Sequence, residues 1–383
     1  MTSLKVLQVM GCTSDQYGSM ERYLVAKAQA LRNRGGHLVV VYENTPQSDR
    51  FIRELVDAGG ELRQMRMRGR FDGAYLHKTR NLIMKENVGL VHLYFGPTSH
   101  ALSIYLGLRG YRHLVRTAPN LPSAFRRPGQ KMHGRLGRYL ALRHRFLARL
   151  VRKIICRSEA VLRDYAALGV PSQKLAVVCG GADAATYRFS PESRSKIRAE
   201  LGIPNGTFVI GAFSRLVKVK NIDRLIRGFQ GLSDGSRDCR LVVSGDGPEK
   251  DALMGKAASL SLADSVIFLG NREDVAGLYS ALDVFCSASL AEGMSNSILE
   301  AMSSGLPVVA SDIPPNRELI DDGEGGYLVD FGRPDEFRRR VELLWNPEVR
   351  KKMGAYNRKK IIRQFSLEAR VEKELEVYAE VLS

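Results

Sequence analysis

The chain has 383 residues, enough for two domains that each bury a core, and its 44% hydrophobic and 26% charged residues are typical of globular proteins. No apolar run reaches the length of a membrane span, and no signal peptide is predicted. The five cysteines lack C-x-x-C spacing, which argues against a zinc site or a disulfide framework and indicates reduced core thiols.

The first half of the chain alternates short apolar runs with helical patterns. Because parallel strands are joined by long crossovers, usually helices, this alternation predicts a doubly wound α/β domain that binds ligands beyond the carboxyl ends of its strands. The predicted strands are 4–10, 38–42, 62–67, 90–94, 113–118, 154–158 and 175–178, and the predicted helices are 20–34, 49–58 and 74–86.

The positive charge is concentrated in one stretch of this first half. Residues 87–158 contain 14 Lys and Arg residues and no acidic residue, which accounts for most of the net charge of +17. Segment 126–153 combines these arginines with apolar residues at helical spacing, a pattern typical of a helix on an anionic membrane surface. A helix packed on the core with a solvated basic face gives the same pattern, so both interpretations stay open. No nucleic-acid recognition motif accompanies the charge, and no nucleic acid partner is predicted.

The alternation pauses around 180–191 and then resumes, which predicts a boundary between domains 1–185 and 186–365. The predicted strands of the second half are 208–214, 240–245, 266–269, 283–287, 308–311 and 327–330, followed by helical segments at 345–364 and 367–382. The second half is therefore predicted to be another parallel α/β domain.

Two carboxylates, Glu292 and Glu300, lie eight positions apart after the predicted strand 283–287. Ser297 and Glu300 fit the S-x-x-E pattern of a helix start, and Gly305 with Pro307 predicts its end. A helix N-terminus favours phosphate, and carboxylates accept hydrogen bonds from sugar hydroxyls, so the pattern predicts a sugar-nucleotide site. The structural alternative is that Glu300 only completes a capping box and Glu292 is a solvated loop charge.

A second candidate motif follows the predicted strand 208–214. Arg215 and Lys220 precede a helix, where a guanidinium can bind phosphate oxygens through two hydrogen bonds and an ammonium adds a point charge. Lys218 is an alternative to Lys220. The chain contains no Asp-x-Asp, which favours a metal-independent diphosphate site.

The block Glu292-Gly293-Met294-Ser295-Asn296-Ser297-Ile298-Leu299-Glu300 resembles the E-x7-E signature of retaining glycosyltransferases of family 4. The resemblance implies the GT-B fold, in which two doubly wound Rossmann-like domains face each other across a cleft. It further implies that domain 1–185 binds the acceptor, that 186–365 binds the donor, and that 366–383 crosses back onto the first domain.

The same resemblance implies roles for individual residues. Arg215 and Lys220 would bind the donor diphosphate and stabilise the leaving group, Glu292 would hold the sugar hydroxyls, and Glu300 the ribose. Further donor contacts are implied at positions that match the family's loops: Gly18, Asn271, Arg272, Gly293, Met294, Ser295, Asn296 and Ser297. An ordinary strand-to-helix turn remains an alternative for Gly18, and the Gly245–Glu249 turn is interpreted as structural.

One family feature is missing from the loop after the predicted strand 113–118. Many relatives have a histidine near the sugar and the acceptor, whereas this chain has Asn120, which can donate hydrogen bonds but cannot act as a base. His92 is the other candidate contact for sugar or acceptor, although its apolar strand favours a core histidine.

These observations and the family resemblance predict a metal-independent hexosyltransferase without a cofactor, and the resemblance alone implies retention of configuration. Its donor is a nucleotide-diphosphate sugar, expected to be linked to UDP, and its acceptor is a glycan or lipid-linked hydroxyl in polysaccharide or lipopolysaccharide synthesis. The predicted location is cytoplasmic, peripheral on the inner face of the membrane. Two alternatives are a sugar-nucleotide binding protein that has lost transfer and a sugar-nucleotide epimerase of the same fold.

Overall fold

The computed structural model describes residues 4–12, 14, 17–69, 72–94, 96–118, 120–121, 135–233 and 238–383. The chain forms two compact units, 1–179 with 367–383 and 180–366. The division expected from the sequence, 1–185 with 366–383 and 186–365, differs from this one by a few residues.

The first unit is built around a seven-stranded sheet with the order β3-β2-β1-β4-β5-β6-β7. All of its strand pairs are parallel. Its strands are β1 (Lys5–Met10), β2 (His37–Tyr42), β3 (Gly60–Gln64), β4 (Leu90–Tyr94), β5 (Leu114–Ala118), β6 (Lys153–Cys156) and β7 (Leu175–Val177). Its helices are α1 (Ser19–Asn33), α2 (Asp49–Asp57), α3 (Gly73–Lys85), α4 (Gly96–Leu108), α5 (Arg135–Leu150), α6 (Glu159–Ala167) and α15 (Leu367–Leu382).

Helix α4 was not predicted from the sequence. It packs against helices α3 and α5 as well as strands of the sheet, so much of its surface is apolar. A helix that is apolar on most sides lacks the alternation of polar and apolar faces by which amphipathic helices are recognised.

The second unit is built around a six-stranded parallel sheet with the order β10-β9-β8-β11-β12-β13. Its strands are β8 (Phe208–Phe213), β9 (Cys239–Ser244), β10 (Val266–Gly270), β11 (Val284–Ser287), β12 (Val308–Ser311) and β13 (Gly326–Val329). Its helices are α7 (Pro191–Glu200), α8 (Ile222–Ser233), α9 (Lys250–Ser259), α10 (Val275–Ala281), α11 (Asn296–Ser303), α12 (Pro314–Leu319), α13 (Pro334–Leu343) and α14 (Pro347–Gln364).

Both sheets reverse their strand order at one point, between β1 and β4 in the first unit and between β8 and β11 in the second. In doubly wound sheets, the loops after these two strands diverge and leave a crevice at the carboxyl edge, where ligands bind. The predicted fold of two Rossmann-like domains is confirmed, and the topology places the loops after β8 and β11 at such a point.

The C-terminal helix α15 is attached to the first unit by a buried polar network. Glu374 on α15 accepts from Lys27 of α1 at 2.8 Å and from the hydroxyls of Tyr23 and Tyr378 at 2.5 and 2.9 Å. Lys27 also donates to Gln8 of β1. Since every one of these groups is buried, each needs its partners to offset the loss of water.

Candidate active site at the carboxyl edge of the second sheet

The loops after β8 and β11 are joined by direct hydrogen bonds. The Leu290 N–H donates to the Val219 carbonyl at 2.8 Å, and the Asn221 side-chain amide donates to the Ala288 carbonyl at 3.1 Å. Asn221 has a left-handed backbone, φ 55°, which asparagine tolerates better than most residues. This turn ends the short 3₁₀ helix Lys218–Lys220 and fixes the direction in which Lys220 leaves the loop.

Lys220 and Glu292 meet at the point where the two loops join. Lys220 Nζ lies 2.5 Å from Glu292 Oε1, and both side chains are partly buried. The two residues are 72 positions apart in the sequence and were predicted from separate motifs. Their pairing places a cation suited to phosphate beside a carboxylate suited to sugar hydroxyls, whereas Lys218 is exposed on the same loop.

Arg215 lies on the β8 loop with an exposed side chain. Among the described residues its guanidinium has no hydrogen-bond or ion-pair partner. The backbone of this loop is fixed by the turn after β9: Ser214 N–H donates to Ser244, and Leu216 N–H donates to Asp246. The main chain at Arg215 is therefore held firmly, while its charged group faces solvent.

The glycines of that turn have a structural role, as the sequence favoured. Gly245 and Gly247 have φ of 130° and 154°, and a Cβ on either would lie only 1.9 Å from the Ser214 carbonyl oxygen or 2.4 Å from that of Leu216. Only glycine permits so close an approach of the two backbones.

The helix that carries Glu300 begins two residues earlier than predicted. Ser295, not Ser297, is the N-cap of α11, and its hydroxyl accepts from the Ile298 N–H. Glu300 is then the fifth helical residue, too far along the helix to complete a capping box. The prediction of Ser297 as the cap was wrong because both serines satisfy the local pattern, and the tertiary position of the loop selects one.

Glu300 is buried and positioned by a tyrosine from another helix. The Tyr279 hydroxyl of α10 lies 2.9 Å from Glu300 Oε2 and 3.2 Å from the Ser297 carbonyl. Burial, reinforced by Glu300, raises the pKa of Tyr279 well above its ordinary value, so the hydroxyl stays protonated and acts as donor. Tyr279 in turn packs against the rings of Tyr187, Phe213 and Phe285. The carboxylate therefore has a defined orientation.

The start of α11 brings several predicted donor contacts together. Gly293, Met294 and Ser295 are buried, while Asn296 and Ser297 form the partly buried first turn. The Met294 sulfur accepts from the Gly180 N–H at 2.8 Å, so its side chain packs inward, and the backbone at 293–295 remains the part able to reach a ligand. A helix N-terminus directed at this edge favours an anion.

Comparison with known proteins shows the family to which a chain with this arrangement belongs. The family model for glycosyl transferases group 1 matches residues 193–360, and the model for glycosyltransferase family 4 matches 20–186. The chain belongs to glycosyltransferase family 4. Each match lies largely within one of the two Rossmann-like units, which agrees with the predicted resemblance.

Relatives of this glycosyltransferase include the UDP-Gal:alpha-D-GlcNAc-diphosphoundecaprenol alpha-1,3-galactosyltransferase of Escherichia coli, 27% identical over 79% of this chain and 78% of that one. Another is the lipopolysaccharide core biosynthesis glycosyltransferase LpsE of Rhizobium meliloti, 31% identical over 48% of this chain and 53% of that one. The chain thus spans about half of LpsE and nearly four fifths of the galactosyltransferase. A solved structure of Anabaena Alr3699/HepE in complex with UDP and glucose has the same fold, with a TM-score of 0.80, 21% identity and coverage of 98% and 99%.

Two predicted donor contacts of the glycosyltransferase lie after β10. Asn271 is exposed, and Arg272 donates from Nη1 to Glu200 at 2.5 Å and from Nε to Asp274 at 2.8 Å. These hydrogen bonds, with Asp274 first, raise the pKa of Arg272 further above its ordinary value. The Arg272 side chain is committed to carboxylates, which leaves the backbone of 271–272 as the candidate contact, as the family resemblance implies.

Gly18 is the N-cap of α1 in the first unit. Its N–H donates to Glu21 Oε2 at 2.9 Å, while Ser14 donates to the other oxygen of Glu21 at 2.6 Å. Its backbone is extended, and a Cβ at this position would meet only Glu21, at an ordinary 3.5 Å. Neither the backbone nor the described neighbours of Gly18 therefore explain why glycine stands there.

His92 and Asn120 have contrasting environments. His92 is fully buried, with Nδ1 2.6 Å from the Tyr378 hydroxyl and Nε2 2.7 Å from Thr117 Oγ1. Burial lowers its pKa to about 3, so the ring stays neutral. His92 is therefore a core residue, as its apolar strand indicated. Both of its ring nitrogens contact protein side chains, so neither is available to bind a sugar. Asn120 is exposed after β5.

Two features of the described residues concern a metal site and a membrane span. In the described ranges, no three His, Cys, Asp or Glu side chains come close enough together to hold a metal ion. None of the described helices is both long and apolar enough to cross a bilayer. Metal independence and membrane association both remain predictions.

Sequence reasoning missed two residues that position this site, Tyr279 and Asn221. Tyr279 belongs to no motif, since it lies 21 residues before Glu300 on a helix that packs beside it. Asn221 carried a usable signal, because asparagine directly before a helix is a common left-handed residue. The hydrogen bond of Asn221 to the neighbouring loop, however, depends on the strand order of the sheet.

Proposed function

We propose that this family 4 glycosyltransferase transfers a hexose from a nucleotide-diphosphate sugar, with UDP as the expected nucleotide, to a hydroxyl of a glycan or lipid-linked acceptor, with retention of configuration. The contact between Lys220 and Glu292 at the β8–β11 switch point is the observation that carries this proposal. It joins a phosphate-binding cation and a sugar-binding carboxylate at the edge where doubly wound sheets bind nucleotides.

The diphosphate is assigned to Arg215, Lys220 and the N-terminus of α11. When the bond between sugar and phosphate breaks, negative charge grows on the diphosphate, and fixed positive groups stabilise it without a metal ion or other cofactor. Arg215 supports this role because its backbone is held by the glycine turn while its guanidinium is exposed. Lys220 is preferred to Lys218 because it lies beside Glu292.

The carboxylates are assigned to the two sugars of the donor. Glu292 accepts hydrogen bonds from hydroxyls of the transferred hexose and faces the positive charge that develops on its ring. Glu300, oriented by Tyr279, accepts from the ribose hydroxyls. Gly293–Ser297 and residues 271–272 contribute backbone groups.

The names of relatives support the class of donor and acceptor. UDP and glucose occupy the HepE structure, and the E. coli relative is named for a diphosphoundecaprenol-linked acceptor. LpsE is named for lipopolysaccharide core biosynthesis. These names favour synthesis of a cell-surface polysaccharide or lipopolysaccharide over the binding-protein and epimerase alternatives.

We further propose that α5 places the enzyme on the cytoplasmic face of an anionic membrane. Tyr139, Leu142 and Phe146 lie at i, i+3 and i+7 and are exposed, so they form one apolar stripe. Exposed arginines flank the stripe: Arg138, Arg145 and Arg149. Residues 126–134 of the predicted basic segment lie outside the described residues. Replacing both Leu142 and Phe146 with serine should abolish sedimentation with phosphatidylglycerol vesicles, and undiminished sedimentation would contradict the proposal.

Turnover of Arg215→Ala and Glu300→Gln tests the donor site. Loss of one charge-stabilising group should lower kcat by about 10²- to 10³-fold. Loss of the ribose contact should raise the donor KM by roughly 10- to 100-fold, since a hydrogen bond to a charged group contributes about 1.5–3 kcal/mol. The proposal fails if both variants keep turnover within a few-fold of the parent. Product analysis with the donor alone distinguishes a transferase from an epimerase. Absence of slow donor hydrolysis would favour a sugar-nucleotide binding protein that has lost transfer.

A further inference from the structure

A cluster of four basic side chains, two of them buried, lies in the first unit. It comprises Arg116 on β5, His100 on α4, and Arg143 with His144 on α5. Arg116 and His144 are 6% and 8% exposed, whereas Arg143 is exposed and His100 is half-buried. All four residues belong to the stretch 87–158, which contains no acidic residue. The cluster therefore has no counter-ion from its own part of the chain.

A single neutral nitrogen links the two guanidinium groups. His100 Nε2 lies 2.8 Å from Arg116 Nη2 and 2.8 Å from Arg143 Nη2. Because both arginines are donors, this nitrogen must be the acceptor, and the His100 proton is on Nδ1, 3.1 Å from the Gly96 carbonyl. The two Nη2 atoms are therefore at most twice 2.8 Å apart, about the separation that one oxyanion spans when it accepts from both.

Two further polar atoms of the cluster have no hydrogen-bond partner in the described structure. These atoms are Arg116 Nε and His144 Nδ1, both inaccessible to solvent. The His144 ring packs edge-on against the Tyr165 ring, with centroids 5.0 Å apart, which fixes its orientation. Buried polar groups in folded proteins are nearly always paired, so an unpaired Nε on the buried Arg116 guanidinium and an unpaired ring nitrogen on His144 point to a ligand-binding cluster.

The charges around the cluster favour an anion as its ligand. Burial lowers the pKa of Arg116, Tyr165 partly offsets this shift, and Arg143 adds to it. Burial, assisted by Arg116, lowers the pKa of His100 to about 3 and that of His144 to about 4. The leading influences on these three pKa values are burial, neighbouring arginines, His144, Tyr165 and the Gly96 carbonyl, and none of them is a carboxylate. Burying an arginine without a carboxylate partner destabilises the fold, and a bound anion would offset this cost.

We propose that Arg116, Arg143 and His144 form a binding site for a phosphate group, with His100 Nε2 displaced as acceptor when the phosphate binds. Two guanidiniums and one imidazole N–H supply donors for three oxygens, which fits a phosphate better than a carboxylate. Arg143 and His100 open the site to the surface. Given the proposed transfer reaction, the ligand is the phosphate of a phosphorylated acceptor.

The position of the cluster agrees with a substrate site. Arg116 lies two residues before the end of β5, and His100 lies in the second turn of α4, which follows β4. His100 is thus near the carboxyl edge of the first sheet, where ligands of doubly wound domains bind, and Arg116 lies halfway along the adjoining strand β5.

Titration of the full-length protein with inorganic phosphate tests this site, with the imidazole resonances of His100 and His144 as the readout. All seven histidines precede residue 145, so these signals are confined to the first unit and are not produced by phosphate at Arg215 and Lys220. We expect both resonances to shift saturably with phosphate and much less with acetate. Arg143→Gln, on an exposed position of α5, should weaken the affinity by about 10- to 100-fold.

The matched control is Arg163→Gln, an exposed arginine on the neighbouring helix α6, which should bind phosphate like the parent. Unchanged histidine resonances in the parent, or full phosphate affinity in Arg143→Gln, would overturn the site. Stronger binding of acetate than phosphate would overturn its assignment to phosphate. Donor hydrolysis by the parent is measured separately. Absence of hydrolysis refutes the proposed transferase and does not affect the phosphate site. Absence of phosphate binding refutes the phosphate site and does not affect the proposed transferase.

Discussion

Each unit of the molecule contains a lysine–glutamate pair in close contact, and the two pairs differ in burial and surroundings. Lys27 and Glu374 in the first unit are 2.8 Å apart with side chains 0% and 2% exposed. Lys220 and Glu292 in the second unit are 2.5 Å apart with side chains 19% and 10% exposed. The first pair is surrounded by further donors and acceptors from four elements, α1, α15, β1 and β4, whereas the second lies at the open edge of a sheet.

The difference in burial separates a structural pair from a candidate catalytic one. Around Glu374, burial alone would raise the pKa of the carboxyl, but Lys27, His92 and Arg370 outweigh it and hold the pKa far below its usual range. Such a carboxylate is permanently charged and inaccessible to substrate. The side chains of Lys220 and Glu292 remain accessible to a ligand. Contacts with a diphosphate and a sugar can therefore replace the contact between the lysine and the glutamate.

The largest effect is expected from breaking the buried pair. Glu374→Gln leaves Lys27 buried without a counter-ion, which should lower the free energy of unfolding by roughly 3–5 kcal/mol. Urea denaturation followed by circular dichroism measures this loss. Glu376→Gln removes an exposed carboxylate from the same helix and should change stability by at most about 0.5 kcal/mol. Equal stability of the two variants would refute the structural role of the Glu374 network.

The second prediction concerns the other lysine. Lys220→Met should lower kcat by about 10²- to 10³-fold, because charge on the leaving diphosphate loses a fixed cation. Steady-state kinetics with the donor sugar measures the change. Lys218→Met, on the same loop but exposed, is the control and should retain activity close to that of the parent. If Lys218→Met is the more damaging change, the diphosphate is bound by Lys218.

The third prediction uses pH to probe the buried network. His92 has its pKa lowered to about 3, below that of a histidine in the unfolded chain, so acid favours the unfolded state. The contribution of neutral His92 to the free energy of unfolding is complete above about pH 6.5, and it is lost as the pH falls towards 3. Between about pH 6.5 and 5, the parent should lose roughly 1.5 kcal/mol more stability than His92→Gln.

Calorimetric melting across that pH range provides the measurement, and His77→Gln is the control because His77 is exposed on α3. It should keep the pH dependence of the parent. An identical acid dependence for the parent and His92→Gln would mean that His92 is not buried in its neutral form.

The smallest effect is predicted for the stability of the open pair. Glu292→Gln should change the free energy of unfolding by no more than about 1 kcal/mol, because partly solvated ion pairs contribute little. Its activity should nevertheless fall, since the carboxylate no longer faces the positive charge on the sugar. A loss of stability comparable to that of Glu374→Gln would place the two pairs in one structural class.

Elements predicted from the sequence agree best with the structure where local patterns are strong. The parallel strands follow from apolar runs separated by helices, and strand β12 has the predicted bounds 308–311. Helix α4 was missed because its packing on several sides removes the polar face. The N-cap of α11 was assigned to Ser297 and not Ser295, because a short serine-rich segment offers two equivalent local solutions.

By itself, the sequence determined the alternation of strands and helices, the excess of positive charge in residues 87–158, and the identity of the residues proposed for the donor site, because composition and short spacing are local properties. Only the tertiary structure decided that Lys220 lies against Glu292, that Tyr279 orients Glu300, and that Arg116 Nε and His144 Nδ1 are buried without hydrogen-bond partners among the described residues. These relations depend on strand order and on the packing of helices distant in the chain, and no local pattern encodes such contacts.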